Sequence, residues 1–158
     1  MTAPAINFQS ICDNLAARFV AATMGTPTGA PAILASYGQY PRAVPALPAV
    51  IVEPQDGTVL AQSSYWQHEM KLDAVLLLAK RPGNPATVEK YRQLYLPYLL
   101  AATEGQLQIG LGSQAGWSVL KAIPTGWTWV EYPYDGDEYD GIRVHYQVWA
   151  NENVSLVP

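Results

Sequence analysis

A strand–turn–strand run at residues 126–150 constrains this chain more than any other feature. In its last segment Ile142, Val144, Tyr146, Val148 and Ala150 point one way, while Arg143, His145, Gln147 and Trp149 point the other. That alternation predicts a strand with one face on a core and one face partly wet. An acidic turn carrying Asp135, Asp137, Glu138 and Asp140 precedes it, and a strand bearing Trp127, Trp129, Tyr132 and Tyr134 precedes the turn. Large aromatic side chains at the solvent side and the turn mark surface that another protein covers. No residue set in the run spells out a reaction.

A chain of 158 residues fits one domain, residues 1–158, with a real core; a domain of that size buries roughly 70% of its unfolded surface. Charged residues make up only 14%, low against the usual ~25% of soluble domains. Such a surface is poorly solvated alone and favours docking or self-association. The net charge of −4 is spread evenly, with no basic stripe, which argues against gripping a nucleic acid backbone. One cysteine, Cys12, excludes an internal disulfide and a cysteine-based zinc cluster. No signal peptide and no membrane span are expected.

Residues 7–23 have the period of an amphipathic helix, with Phe8, Ile11, Cys12, Leu15, Phe19 and Ala22 on the apolar face. Asn7 is the expected N-cap and Gly25 the expected stop. Cys12 then reads as a small buried hydrophobe. Residues 25–48 break every period, with glycines and prolines throughout, and are expected as an extended arm or loop lying on a neighbouring subunit. Leu47–Glu53 reads as a short buried strand closed by Pro54, with a tight turn at Asp56-Gly57. Residues 63–79 read as a long strand, one-sided up to Asp73 and covered on both faces beyond it. Asn84-Pro85 starts a helix that Pro97 should kink and Gly105 end. Strands follow near 106–110, 117–123, 126–132 and 141–150. The order predicts an α+β fold, a single layer sandwich of a mostly antiparallel sheet with two helices packed on one face.

The constellations that carry chemistry are thin. Gly110, Gly112 and Ala115 match a dinucleotide fingerprint only on paper, because a turn and a strand, not a helix, are expected to follow. The acidic turn departs from a calcium loop, with Tyr146 where a bidentate glutamate belongs. The two histidines, His68 and His145, sit on separate strands with no ligand predicted beside them. No serine occupies a nucleophile elbow. The aromatics at 127–139 have the type of a base-stacking platform, but their surroundings are acidic, not basic. No catalytic site, metal or cofactor is expected.

The opening helix 7–23, the entry Tyr40-Pro41 to Leu47–Pro54, the strand 63–79, the helix after Asn84-Pro85 and the closing run Glu138–Val144 together form a pattern. It resembles the tail terminator proteins of long-tailed bacteriophages. The resemblance covers nearly the whole chain, through an order of elements with weak motifs. It implies a virion structural protein and no enzyme. Such a protein forms a ring of identical subunits, a hexamer, that caps the head-proximal end of the tail tube, stops its polymerisation and meets the head–tail connector. DNA passes through the lumen without specific binding. The interface residues it implies are Tyr37, Tyr40, Trp127, Trp129, Tyr132, Tyr134, Asp135, Asp137, Glu138 and Tyr139. A head–tail connector or stopper protein is the alternative, and a small-ligand or enzymatic domain a more distant one.

Overall fold

Strand β6 (Asp137–Asn153) runs antiparallel to β3 (Tyr65–Lys80) on one side and to β5 (Trp117–Tyr134) on the other. The computed structural model describes residues 6–20, 25–103, 113–114 and 116–153. Beyond β3 lies β2 (Ala49–Ala61), also antiparallel, and then the short β1 (Ala35–Tyr37), parallel to β2. Beyond β5 lies β4 (Ser113–Gln114), paired with the first residues of β5. The sheet order is therefore β1-β2-β3-β6-β5-β4. This is the expected α+β arrangement, a mostly antiparallel sheet with helices α1 (Phe8–Ala17) and α2 (Pro85–Ala101) on one face.

Alternation assigns the faces. Ile142, Val144, Tyr146, Val148 and Ala150 meet Leu72, Ala74 and Leu76 of β3 and Val50 and Val52 of β2 under the helices. From α1 come Ile11, Cys12 and Leu15, and from α2 come Tyr95 and Leu99, all buried. The Tyr146 hydroxyl donates to the Leu99 carbonyl and pins α2 to the sheet. The Tyr95 hydroxyl donates to Pro31 and pins the loop before β1 to α2. Buried phenols need such partners, and these two find backbone oxygens. The opposite face carries a smaller core of Ile51, Val75, Leu77, Tyr132 and Tyr139. Thus β3 is covered on both faces past Asp73, as its sequence predicts.

Several expectations change. Helix α1 ends at Ala17 with its cap at Arg18, short of the expected residue 23. Its Asn7 cap is present, the side chain accepting from the Ser10 amide at 3.0 Å. Phe8, expected on the buried face, is 47% exposed because it lies at the first turn, beyond the sheet contact of Ile11 and Leu15. Residues 25–48 do not leave the domain as an arm. Ile33 is buried in the main core, and Tyr37, Val44 and Leu47 pack on the smaller one. A proline-rich segment can do this because it gives up few amide hydrogen bonds while it covers apolar surface.

Pro54 does not close β2. The strand continues to Ala61, and Asp56-Gly57 belongs to an irregularity in pairing between Pro54 and Gly57 instead of a hairpin turn. A bulge tolerates proline because the extra residue needs no ladder bond. The expected strands 117–123 and 126–132 are one strand, β5, with irregularities at Val119/Lys121 and Pro124/Gly126. Helix α2 begins at the Asn84 cap with Pro85 in its first turn and runs through Pro97 to Ala101. The expected strand at 106–110, the Gly105 stop and the Gly110–Gly112 run lie outside the described residues.

Gly141 shows how tightly β3 and β6 approach. A Cβ there would stand 2.1 Å from the Leu76 carbonyl oxygen, a backbone atom that has nowhere to go. Gly141→Ala is expected to destabilise the protein by about 2 kcal/mol or more, in the range of overpacked cores. Asn84→Ala, which removes only a cap, should cost about 1 kcal/mol. Urea midpoints of the two variants check the order, and an equal loss from both would contradict the close approach at Gly141.

Candidate protein-interaction site

The hairpin β5–β6 turns at Asp135 and Gly136, with φ of 50° and 80°, and Tyr134 pairs with Asp137 across it. Two successive left-handed residues make the mirror-image turn that suits the twist of paired strands, and Asp-Gly supplies it at low strain. The acidic residues around the turn are not left to water alone. Lys80 meets Asp137 at 3.0 Å, and Arg81 lies 2.5 Å from Glu131, 3.7 Å from Glu138 and 3.6 Å from Asp140. Arg92 of α2 is 3.8 Å from Asp140 and donates to the carbonyls of Gly141 and Val130. Among the described residues no group of three or more His, Cys, Asp or Glu is placed to hold a metal ion.

The ten aromatic and acidic positions divide into three environments. Tyr132 and Tyr139 face each other across the hairpin, buried in the smaller core, so they are structural and are withdrawn as interface residues. Tyr37, Tyr40 and Tyr134 join the folded-back segment to the sheet. The rings of Tyr40 and Tyr134 stack at 6.3 Å, those of Tyr134 and Tyr132 at 6.2 Å, and the Tyr134 hydroxyl donates to the Pro41 carbonyl. Tyr40, at the outer end of this stack, is 59% exposed. Trp127 and Trp129 lie on the helix face, opposite Val144 and Ile142, past the edge of α2. Their rings pack together at 4.7 Å and are 44% and 38% exposed, and the Arg92 guanidinium sits 5.7 Å from the Trp129 ring. Asp135 and Glu138 are exposed and Asp137 half-buried beside them.

Sequence reasoning missed the polar network that this hairpin covers. Arg143 donates to Glu53 at 2.7 Å and to Asp73 at 2.8 Å, and His145 Nδ1 lies 2.7 Å from Asp73. The Tyr132 hydroxyl donates to the other oxygen of Glu53. Burial, then the bond to Glu53, push the Tyr132 phenol far above its ordinary range. Burial works against the Arg143 charge, but its bonds to Asp73 and Glu53 outweigh that and raise its pKa. His68, on the opposite face, pairs with buried Glu152 at 2.8 Å. The two histidines therefore never meet, and each has a carboxylate that the sequence did not place beside it. The usable signal was register, since Glu53, Asp73 and His145 stand directly across from one another on β2, β3 and β6.

A second exposed apolar group lies at the other end of the molecule. Past its irregularity β2 carries Val59 and Leu60, 54% and 56% exposed, beside Tyr65 at the start of β3 and Phe8 of α1. Nothing singled it out in sequence, because residues 57–61 were assigned to no element. The known protein-family models contain no match to this chain, and neither do the curated proteins.

Two outcomes follow from this geometry. Arg143→Met strands two buried carboxylates and should cost about 3 kcal/mol, as breaking a buried ion network does; a loss below that of Asn84→Ala, read from urea unfolding, would argue that the network is not closed. Burial pushes the Cys12 thiol up to about 11, with neighbouring Asp13 adding to it. At pH 8 only about one thiol in a thousand is then ionised, so native protein should resist iodoacetamide until it is unfolded. Mass spectrometry of alkylated native and urea-treated samples reads this directly.

Proposed function

We propose that this protein is a ring-forming structural protein of a phage virion, a tail terminator that caps the head-proximal end of the tail tube, halts its growth and joins it to the head connector. The observation that supports this best is the placement of two unlike apolar surfaces. Trp127 and Trp129 stand on β5, while Phe8, Val59, Leu60 and Tyr65 cluster around the far part of β2. Register puts Val59 level with Ala150 and Trp127 level with Val144, on strands flanking the β3–β6 pair from opposite sides. The two surfaces therefore lie at diagonally opposed corners of the sheet.

Subunits with two different sticky surfaces associate head to tail, and such contacts close into rings when the rotation allows. A twofold dimer would need only one surface. The sequence resemblance supplies the rest of the reading: a hexameric ring, a tube protein on one side and a connector on the other, with DNA passing through the lumen. The net charge of −4 suits a lumen that must not hold DNA. Among the described residues no helix is long and apolar enough to cross a membrane.

Light-scattering mass over a range of concentrations, with negative-stain images of the protein mixed with tail tubes, tests this reading. Rings, or density capping tube ends, are expected. The double variant Trp127→Ala, Trp129→Ala should stay folded, since both side chains are well exposed, and should lose most of the association. A protein that remains monomeric and ignores tubes at every concentration would remove the terminator reading.

A further inference from the structure

The first turn of α1, the irregular part of β2 and the middle of β3 enclose a cleft of about 350 Å³. Phe8, Val59 and His68 form its walls, and buried Cys12, Met70 and Leu72 line its depth. Lys71 and Asp56 pair across the rim at 3.7 Å. The volume is at the small end of the range for ligand sites, and the depth is apolar. It has room for a few aliphatic side chains, and its half-exposed Phe8 and Val59 leave apolar surface in water.

The chain itself offers an occupant. Strand β6 leaves the sheet at Asn153, one residue after Glu152 bonds to His68 of the cleft wall. The sequence then continues Val154, Ser155, Leu156, Val157 and Pro158, an uncharged and largely aliphatic segment. Extended, these residues reach about 17 Å. Direction decides which cleft they meet. At its last pair, Asn153 with Tyr65, β6 is already past the cleft, which lies behind it, level with Val148 and Ala150. Entering its own cleft would require a reversal that uses about two residues. About three would then remain to cross two strand spacings of about 4.8 Å each and turn in their side chains. The cleft of a second copy demands no reversal.

We propose that residues 154–158 of one copy dock in the Phe8–Val59–Met70 cleft of the next copy, head to tail. The inference rests on the self-association in the proposed function and names the segment and the cleft that carry it. Each copy gives one segment and receives another, so the contact is heterologous and can propagate around a ring.

Two variants of the full chain test it together. Val59→Lys places a charge on an exposed wall and spoils the cleft, while Leu156→Asp spoils the segment; circular dichroism and urea unfolding show that both remain folded. Each variant alone is expected to weaken association by at least about tenfold. An equimolar mixture should recover a pair of chains and no larger species, because one sound segment meets one sound cleft. Leu156→Met should associate as the unaltered chain does. Variants that form rings like the unaltered chain, or a mixture that gives no complex, would overturn the inference and leave the terminator reading standing. An unaltered chain that stays monomeric overturns both.

Discussion

Arg143 is held between Glu53 and Asp73, and three strands must be in register for that contact to exist. Glu53 lies on β2, Asp73 on β3 and Arg143 on β6, all on the face away from the helices. Charges taken out of water are costly unless they are paired and hydrogen-bonded, and here every member has a partner. A slip of one residue in any of the three strands would turn one of these groups into the helix-covered core. The network therefore acts against wrong pairings as much as it adds attraction. It also explains the smaller core above it. Tyr132 bonds to Glu53, and its ring passes the stack on to Tyr134 and Tyr40. The proline-rich segment closes over that stack, so a connection that looks unstructured becomes a cover.

The cover divides the open face into two parts. Over Ile51, Val75 and Leu77 it is sealed by Tyr37, Val44 and Leu47. Toward the other end of β3 and β6 the same face carries Glu69, Lys71, Gln147 and Trp149, partly wet and joined by local contacts such as Lys121 over the Trp149 ring at 4.1 Å. A sheet that needed both faces buried by partners would not keep this polar half. The apolar surface left in water is instead gathered at the two corners, on the last part of β2 and on β5. That distribution is what separates a head-to-tail assembler from a face-to-face dimer.

Alternation made much of this legible before any coordinates. The inward residues of β6, the two-sided half of β3 and the Asn84-Pro85 helix start follow from periods of two and from capping chemistry. The Tyr132 and Tyr139 assignment failed because alternation cannot say what covers the second face. It showed only that these tyrosines do not face the helices, and a segment nearly a hundred residues away in sequence covers them. Pro54 and Pro124 misled for a related reason. A proline ends a regular ladder, but each of these sits at a shift in register and the strand resumes beyond it. The ion network lay in pairings between distant strands, and a single sequence carries no direct record of strand order.

The exposed tryptophans gain meaning from what holds them. Trp127 and Trp129 sit on β5 where it pairs closely with β6, and Arg92 reaches from α2 to the Val130 and Gly141 carbonyls beside them. The same guanidinium lies over the Trp129 ring and near Asp140. Such bracing fixes the two rings before any partner arrives, so little side-chain freedom remains to be lost on binding. Large aromatic anchors on rigid elements are the kind of residue that dominates protein interfaces. The acidic turn beside them has most of its charge met by Lys80, Arg81 and Arg92, which lowers the electrostatic cost of covering it with another chain. Preorganised aromatics next to a neutralised turn fit a surface built to be buried against protein, and they fit poorly with one built to hold a nucleic acid backbone.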